Sequence, residues 1–427
     1  MDNPNAYPQG VTFAEALRVW ARIGLLSFGG PAGQIALMHR EIVEERGWLT
    51  EKEYLSALNF CMLLPGPEAM QLATYAGWKL HGTRGGLAAG LLFVLPGALV
   101  VLGLSMLYAG FGKLPLVEAL FYGIKAAVLA IVMEALLRVA RRALKTRSDW
   151  VIAGLAFLAL FAFGLPFPLV IIAAAAYGFW RGSGVTEEHT GVLPSWHALS
   201  RTVTVWGAVW LVPLASLALL LGPHHVLTEV GVFFSKLAVL TFGGAYAVLA
   251  YMAQAAVERQ GWLSAAEMID GLALAETTPG PLILVTQFVG YFAGLREMGS
   301  IWGGIAAAVV TLWMTFAPCF LWIFAGAPYI EAIGKRPKLS GALSAITAAV
   351  VGVILNLSLW FGLHVLFGQV ERMEGWFRPW VPAWGNIDGF SLGLSVLAAV
   401  ALLRFHFGII RTLMLCAVIG AVWRLAV

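Results

Sequence analysis

The sequence predicts an all-α polytopic membrane protein: two homologous halves in inverted topology, about 13 transmembrane or re-entrant helical segments, and helices broken at two PGP motifs. Three observations predict it. Of 427 residues, 60% are hydrophobic and only 12% charged, against roughly 25% charged in a soluble domain. Apolar runs long enough to span a bilayer, about 20 residues each, recur along the whole chain. The chain also repeats itself at a constant offset. These properties exclude a soluble enzyme, a nucleic-acid-binding protein and a disordered chain. The formal net charge of +4 is too small to imply a polyanionic partner. Cys61, Cys319 and Cys416 show no CxxC spacing and no disulfide framework. Met1 to Gly10 are polar and the first apolar run carries Arg22, so no cleavable signal peptide is expected.

The repeat is exact in its key motifs. Ser27-Phe28-Gly29-Gly30 returns as Thr241-Phe242-Gly243-Gly244, and 241 − 27 = 214. Gly47-Trp48-Leu49 returns as Gly261-Trp262-Leu263, and Pro65-Gly66-Pro67 as Pro279-Gly280-Pro281, at the same offset. Between Ser27 and Pro67, 15 of 41 ungapped positions are identical to their counterparts. Shared Gly and Leu bias does not preserve three motifs at one spacing, so the chain is read as a duplication. The copies are placed at 1–181 and 225–427, with a linker and connecting helix at 182–224.

Apolar segments follow in the same order in each copy. They fall near 14–43, 53–80, 86–110, 117–137, 150–164 and 167–180, then near 227–257, 266–294, 301–326, 340–367, 388–403 and 407–423. A lone segment near 202–221 joins the halves, and the polar stretch Gly182 to Ser195 reads as the linker. Arg138, Arg141, Arg142, Lys145 and Arg147 follow the fourth segment, while Lys335, Arg336 and Lys338 precede the tenth. Both clusters are expected in the cytoplasm. They lie at opposite ends of their helices, so the halves are expected to cross the inner membrane in opposite directions, with the N-terminus cytoplasmic. Trp376, Trp380 and Trp384 are then expected in an aromatic belt at the outer interface.

Each PGP should split its segment into two half-helices. The first proline ends one helix, the glycine turns, and Pro67 or Pro281 opens the next. The freed N–H groups at such a start favour an anion. A kink serving only packing is the competing reading. Gly29, Gly30, Gly243 and Gly244 allow either close helix contact or close approach of backbone to a ligand. Arg22 and Lys236 occupy equivalent positions inside apolar runs (236 − 22 = 214). A buried cation in a bilayer costs about 2.5 kcal/mol or more on insertion scales, so it has a partner or a task. The two are read as halves of an anion pocket, with snorkelling as the alternative.

Ser27, Thr241, Pro65, Gly66, Pro67, Pro279, Gly280 and Pro281 complete the expected substrate site. Asn59, Gln71, Thr277, Thr278 and Gln287 are neutral hydrogen-bonding groups nearby. Glu68 and Glu276 either neutralise charge or act as protonatable coupling groups. Lys125 is expected to pair with Glu134 or to line a cavity, and Trp48 and Trp262 to anchor the interfaces. No metal or nucleotide motif is present in the sequence, so neither catalysis nor a cofactor is expected.

The order Ser27-Phe28-Gly29-Gly30-Pro31, Arg46-Gly47-Trp48-Leu49, Leu64-Pro65-Gly66-Pro67-Glu68-Ala69 and Gln71-Leu72-Ala73 resembles the chromate ion transporter family. The second half, with Phe242-Gly243-Gly244, Gly261-Trp262-Leu263 and Ala275-Glu276-Thr277-Thr278-Pro279-Gly280-Pro281-Leu282, is similar to the second domain of its long members. One departure is Ala245-Tyr246 where the first copy has Pro31-Ala32. The resemblance implies a secondary transporter exporting chromate, a sulfate-like dianion, driven by the proton-motive force. Spacing alone reaches an anion transporter with an inverted repeat. A transporter of sulfate or another oxyanion, or an anion channel, is the alternative. The expected partners are the oxyanion and the lipid bilayer, with a homodimer left open and no nucleic acid.

Overall fold

The computed structural model describes residues 10–28, 30–182, 196–242, 245–330 and 337–426. Among these residues the first half contains α1 (Phe13–Leu26), α2 (Gly30–His39), α3 (Glu51–Cys61), α4 (Glu68–Phe111), α5 (Pro115–Ala143), α6 (Arg147–Phe161) and α7 (Phe167–Arg181). Then come the connecting α8 (Trp196–Leu221), α9 (Val226–Leu240), α10 (Ala245–Gln254), α11 (Ala265–Thr277), α12 (Val285–Met298) and α13 (Ile301–Gly326). The chain closes with α14 (Pro337–Leu366), α15 (Gly389–Leu403) and α16 (Ile409–Ala426). One departure from the all-α expectation is a hairpin, β1 (Val370–Arg372) against β2 (Trp380–Pro382). Arg372 lies over the Trp380 ring at 5.4 Å and meets Glu258 at 3.0 Å, while Arg378 donates to the Phe163 and Gly164 carbonyls. These contacts hold the segment expected as a simple aromatic belt. Within it, Trp376 and Trp384 are exposed.

Six helices among the described residues are long and apolar enough to cross a membrane: α4, α5, α8, α13 with its following turn, α14 and α16. The chain is a multi-pass membrane protein. Four expected segments are each two helices: the breaks at the two PGP motifs agree with expectation, and those at Ser27-Phe28 and Thr241-Phe242 are additional. The run at 14–43 breaks at Ser27-Phe28, and that at 53–80 breaks between Cys61 and Glu68. Those at 227–257 and 266–294 break at the equivalent places. α4 is itself two helices, because His81 (φ −138°, ψ 29°) and Gly82 (φ 60°, ψ −154°) are not helical. Its counterpart break is the left-handed Gly299 between α12 and α13.

The chain forms two compact units, and each draws on both sequence halves. One comprises Met1–Leu104, Thr186–Ala245 and Thr278–Arg336. In it, α1 buries Ala16, Val19, Trp20, Ile23 and Gly24 at helical spacing. Gly24 lies directly against the Leu92 carbonyl, and Gly294 of α12 against Gly303 of α13. α13 also packs on α9 and α8, with Trp206 stacked on Phe320 and tilted against Phe324. α8 itself buries no residue, and its Leu219 and Leu220 face outward.

The other unit comprises Ser105–Val185, Tyr246–Thr277 and Pro337–Val427. α5 packs on α16 where Gly123 meets Gly420 and the Cys416 carbonyl. α14 packs on α7 through Gly341 and Gly178, and on α6 where Gly352 meets the Ala153 carbonyl. Lipid chains are as apolar as the helix surfaces, so close backbone approach at small residues supplies much of the cohesion. Adding a methyl group at Gly123 therefore forces α5 and α16 apart. Gly123→Ala should destabilise the detergent-solubilised protein by about 1–3 kcal/mol, seen as a lower thermal midpoint. Gly103→Ala, whose new methyl meets nothing within 4 Å, should not lower it.

Candidate functional site

The repeat is reproduced hydrogen bond by hydrogen bond. α1 and α9 end alike: Ser27 Oγ donates to the Ile23 carbonyl at 2.6 Å, and Thr241 Oγ1 to the Leu237 carbonyl at 2.7 Å. Ser27 (φ −76°, ψ 71°) and Thr241 (φ −77°, ψ 78°) each centre an inverse γ-turn. The closing bonds run from Phe28 N–H to Leu26 O (2.9 Å) and from Phe242 N–H to Leu240 O (3.0 Å). Further on, π-helical turns at Arg40–Glu44 and Ala255–Arg259 lead into left-handed Gly47 (φ 60°) and Gly261 (φ 64°). These turns fold Trp48 and Trp262 inward, with N–H bonds to Ile42 O and Ala256 O. Both rings are buried, which corrects the expectation of interface anchors. α3 and α11 then begin on the same capping box, Thr50 with Glu53 and Ser264 with Glu267.

The two copies exchange backbone hydrogen bonds at the PGP turns. Gly66 N–H donates to the Thr241 carbonyl at 2.7 Å, and Gly280 N–H to the Ser27 carbonyl at 2.8 Å. Each copy's PGP glycine thus binds the other copy's γ-turn. All four residues lie in one compact unit. A contact from i to j matched by one from the counterpart of i to the counterpart of j is the pattern of a two-fold axis. Gly66 (φ 123°) and Gly280 (φ 92°) take backbone conformations that favour glycine. A side chain at Gly66 would run into Gln71 and Cys319. Gln71 Nε2 donates to Pro65 O at 2.7 Å, and Gln34 Nε2 donates to Gly280 O at 2.6 Å, bracing the two turns from within the same unit.

These bonds alter how the PGP motifs can serve an anion. The Gly66 and Gly280 amides are already occupied by protein carbonyls. Pro67 and Pro281 sit at the capping position rather than in the first helical turn. Pro67 O accepts from Gln71 N–H at 3.1 Å, and Pro281 O from Leu284 N–H at 2.9 Å. Helix α4 starts at Glu68, and a single 3₁₀ turn, Leu282–Leu284, leads into α12. The N–H groups of Glu68, Ala69 and Met70, and of Leu282 and Ile283, therefore precede the first intrahelical acceptors. Pro279, Gly280 and Pro281 are buried, as are Gly66 and Pro67, while Pro65 and Glu68 are half-buried.

The profile of the chromate transporter family matches residues 14–179 and 228–421. The chain belongs to the chromate transporter family. It is 35% identical to a chromate transport protein of Pseudomonas aeruginosa, over 82% of this chain and 80% of that protein. It is 30% identical to a chromate transport protein of Cupriavidus metallidurans, over 80% of this chain and 81% of that protein. A probable chromate transport protein of Synechococcus elongatus is 29% identical over 83% of this chain and 88% of that protein. No solved structure matches the chain. Membership makes this a transporter rather than an enzyme.

Against that background, the two symmetric cations of this transporter are not alike. Each precedes a γ-turn acceptor by five residues, Arg22 before Ser27 and Lys236 before Thr241. Arg22 is exposed and meets the fully buried Glu41 at 3.5 Å, and Arg46 shares that carboxylate at 2.7 Å. Lys236 is exposed on α9. Gly30 opens α2 in a left-handed conformation (φ 73°). Gly29, Gly243 and Gly244 lie outside the described residues, as do Lys335, Arg336 and most of the linker. Asn59 is exposed, whereas Gln71, Thr278 and Gln287 are buried, and Thr277 donates to the Leu274 carbonyl.

The carboxylates hold the main surprise. Glu276 is 3% exposed and accepts from the Tyr246 hydroxyl at 2.6 Å. Tyr246 stands where the first copy has Ala32, and Glu276 where it has Met62. The departure noted in the second FGG turn and the lone glutamate are thus one feature. Lys125 pairs with Asp270 at 3.3 Å, not with Glu134, which pairs with Arg138 one helical turn on. Glu41 and Asp270 were not identified from the sequence. Subtracting one copy from the other would have found Asp270, whose counterpart is Ser56. Gly97 packs against the Pro279 carbonyl, so Gly97→Ala should displace the second PGP turn. It should cost about 1–3 kcal/mol, read as reduced thermal stability and folded yield in detergent.

Proposed function

We propose that the chain is a secondary transporter that exports chromate from the cytoplasm by alternating access around an anion site between the two repeats. The observation that carries this reading is the reciprocal exchange of PGP and γ-turn backbone, taken with family membership. Two broken helices, locked tip to turn, present their first-turn N–H groups in a two-fold arrangement. Helix N-termini of discontinuous helices are how inverted-repeat transporters hold anionic groups. The pseudo-two-fold axis is assigned to the membrane plane because the loop cations sit at opposite ends of equivalent helices. The N-terminus is then cytoplasmic in the inner membrane.

In this reading a tetrahedral dianion is held by the N–H groups at Glu68–Met70 and Leu282–Ile283. Arg22 and Lys236 supply the positive charge that draws it in. Ser27 and Thr241 hold the turns through their carbonyls, with hydroxyls committed to their own helices. Glu68 and Glu276 are assigned to coupling, since protonation removes repulsion against an anion. The membrane potential already favours exit of a dianion, by about 2.3 kcal/mol per charge per 100 mV. Coupling therefore sets how far efflux can be driven, and is not required for efflux to occur.

Purified protein in proteoliposomes should show saturable chromate counterflow, with sulfate competing because backbone N–H groups scarcely distinguish tetrahedral dianions. Arg22→Gln or Lys236→Gln should each lower that flux by about tenfold or more, a loss of ~1.4 kcal/mol or more in binding terms, at unchanged protein level. Wild-type flux in both variants would remove the two cations from the site. Non-saturable flux without counterflow would instead mean a channel.

A further inference from the structure

Helix α11 carries a second buried ionisable site that the anion-binding reading does not use. Asp270 is 3% exposed. Its Oδ2 accepts from the Tyr108 hydroxyl at 2.6 Å, and its Oδ1 faces Lys125 Nζ at 3.3 Å. All three residues lie in one compact unit. They come from three helices: Tyr108 from the end of α4, Lys125 from α5, Asp270 from α11. The Lys125 side chain is 24% exposed and that of Asp270 5%, so the carboxylate is the more deeply buried partner.

A packing role alone accounts poorly for this triad. Burying an ion pair in a membrane protein is expensive, and apolar residues of similar volume hold helices together as well or better. Nor does the triad belong to the duplicated scaffold. The ungapped repeat places Ser56 opposite Asp270, so the acid is present in one copy alone. Its position on the chain also matters. α11 ends at Thr277, and the chain runs directly into Pro279-Gly280-Pro281, whose glycine binds the Ser27 carbonyl.

We propose that Asp270, with Lys125 and Tyr108, is a proton-binding site of the transport cycle that clamps α11 to α5 when charged and releases it when protonated. The inference rests on the transport reading above. Protonation forms an O–H bond on an Asp270 carboxylate oxygen, the proton coming from water. Lys125 keeps its own protons and its charge, so the site changes from a neutral pair to a single positive charge. The ion pair that ties α11 to α5 is lost, and the helix that leads into the second PGP turn is freed. Lys125 on α5, Tyr108 on α4 and Glu267 on α11 act on the carboxylate, and the charge of Glu118 on α5 reaches Tyr108. α14 and α16 also pack on α11. Their charged or basic groups, Lys338 and His364, and Arg411 and Arg424, stand toward their ends, with the Cys416 thiol between the latter two.

The test uses the full chain in proteoliposomes, with the membrane potential clamped at zero. Chromate flux is compared with and without an imposed pH gradient. The wild type should show a ratio well above one, and Asp270→Asn should bring it to one. Should Asp270→Asn fail to fold with Lys125 left unpaired, the charge-neutral double variant Lys125→Met/Asp270→Asn decides, again with an expected ratio of one. A wild-type ratio retained in either variant overturns the proposal, as does wild-type flux indifferent to the gradient. Absence of any saturable wild-type flux overturns the transport reading itself and this proposal with it.

Discussion

Two backbone hydrogen bonds organise this molecule. Gly66 N–H reaches Thr241 O, and Gly280 N–H reaches Ser27 O. A buried N–H or C=O without a partner costs about 1–3 kcal/mol, and the turns that interrupt these helices leave several such groups inside an apolar protein. The duplication meets that constraint reciprocally. Each copy's broken helix satisfies the carbonyl exposed by the other copy's γ-turn. Glycine is favoured at both donors by a positive φ, and the flanking prolines remove two amides in each turn that would otherwise need acceptors. The bonds fix where the two new helices start, and hence where their first-turn N–H groups lie.

Much of this was legible in the chain, and the reason is physical. Membrane helices read clearly as apolar runs, and a repeat at one offset identifies equivalent positions without any structure. PGP announced its helix break because proline and glycine act locally. The break at Ser27-Phe28 was not legible, since an inverse γ-turn needs no proline and the run stays apolar through it. The partners of Gly66 and Gly280 were not legible either, since the acceptors that claim their amides lie 175 and 253 positions away (241 − 66 and 280 − 27). Long-range pairing of this kind leaves no mark in local sequence. Lys125 illustrates the same limit: Glu134 is near in sequence, yet Asp270 on another helix is its partner.

Symmetry and its violation divide the labour. What the two copies share is scaffold: capped helices, π-helical turns, inward-folded tryptophans and the reciprocal PGP contact. Three of the buried or half-buried groups they do not share are ionisable. Asp270, Glu276 and Tyr246 replace Ser56, Met62 and Ala32, and each acid takes a tyrosine hydroxyl at 2.6 Å. A duplicated frame can hold a near-symmetric anion, whereas coupling to protons calls for groups that one copy gains alone. In a chain with 12% charged residues, α11 places two buried acids, Asp270 and Glu276, on a single helix.

We propose the interlocked PGP turns as the oxyanion site. An experimental structure determined with molybdate or selenate, tetrahedral dianions dense enough to locate, tests this most directly. One anion is expected within hydrogen-bonding distance of the N–H groups at Glu68–Met70 or Leu282–Ile283. An anion bound elsewhere in the chain, with those turns packed and dry, would contradict it.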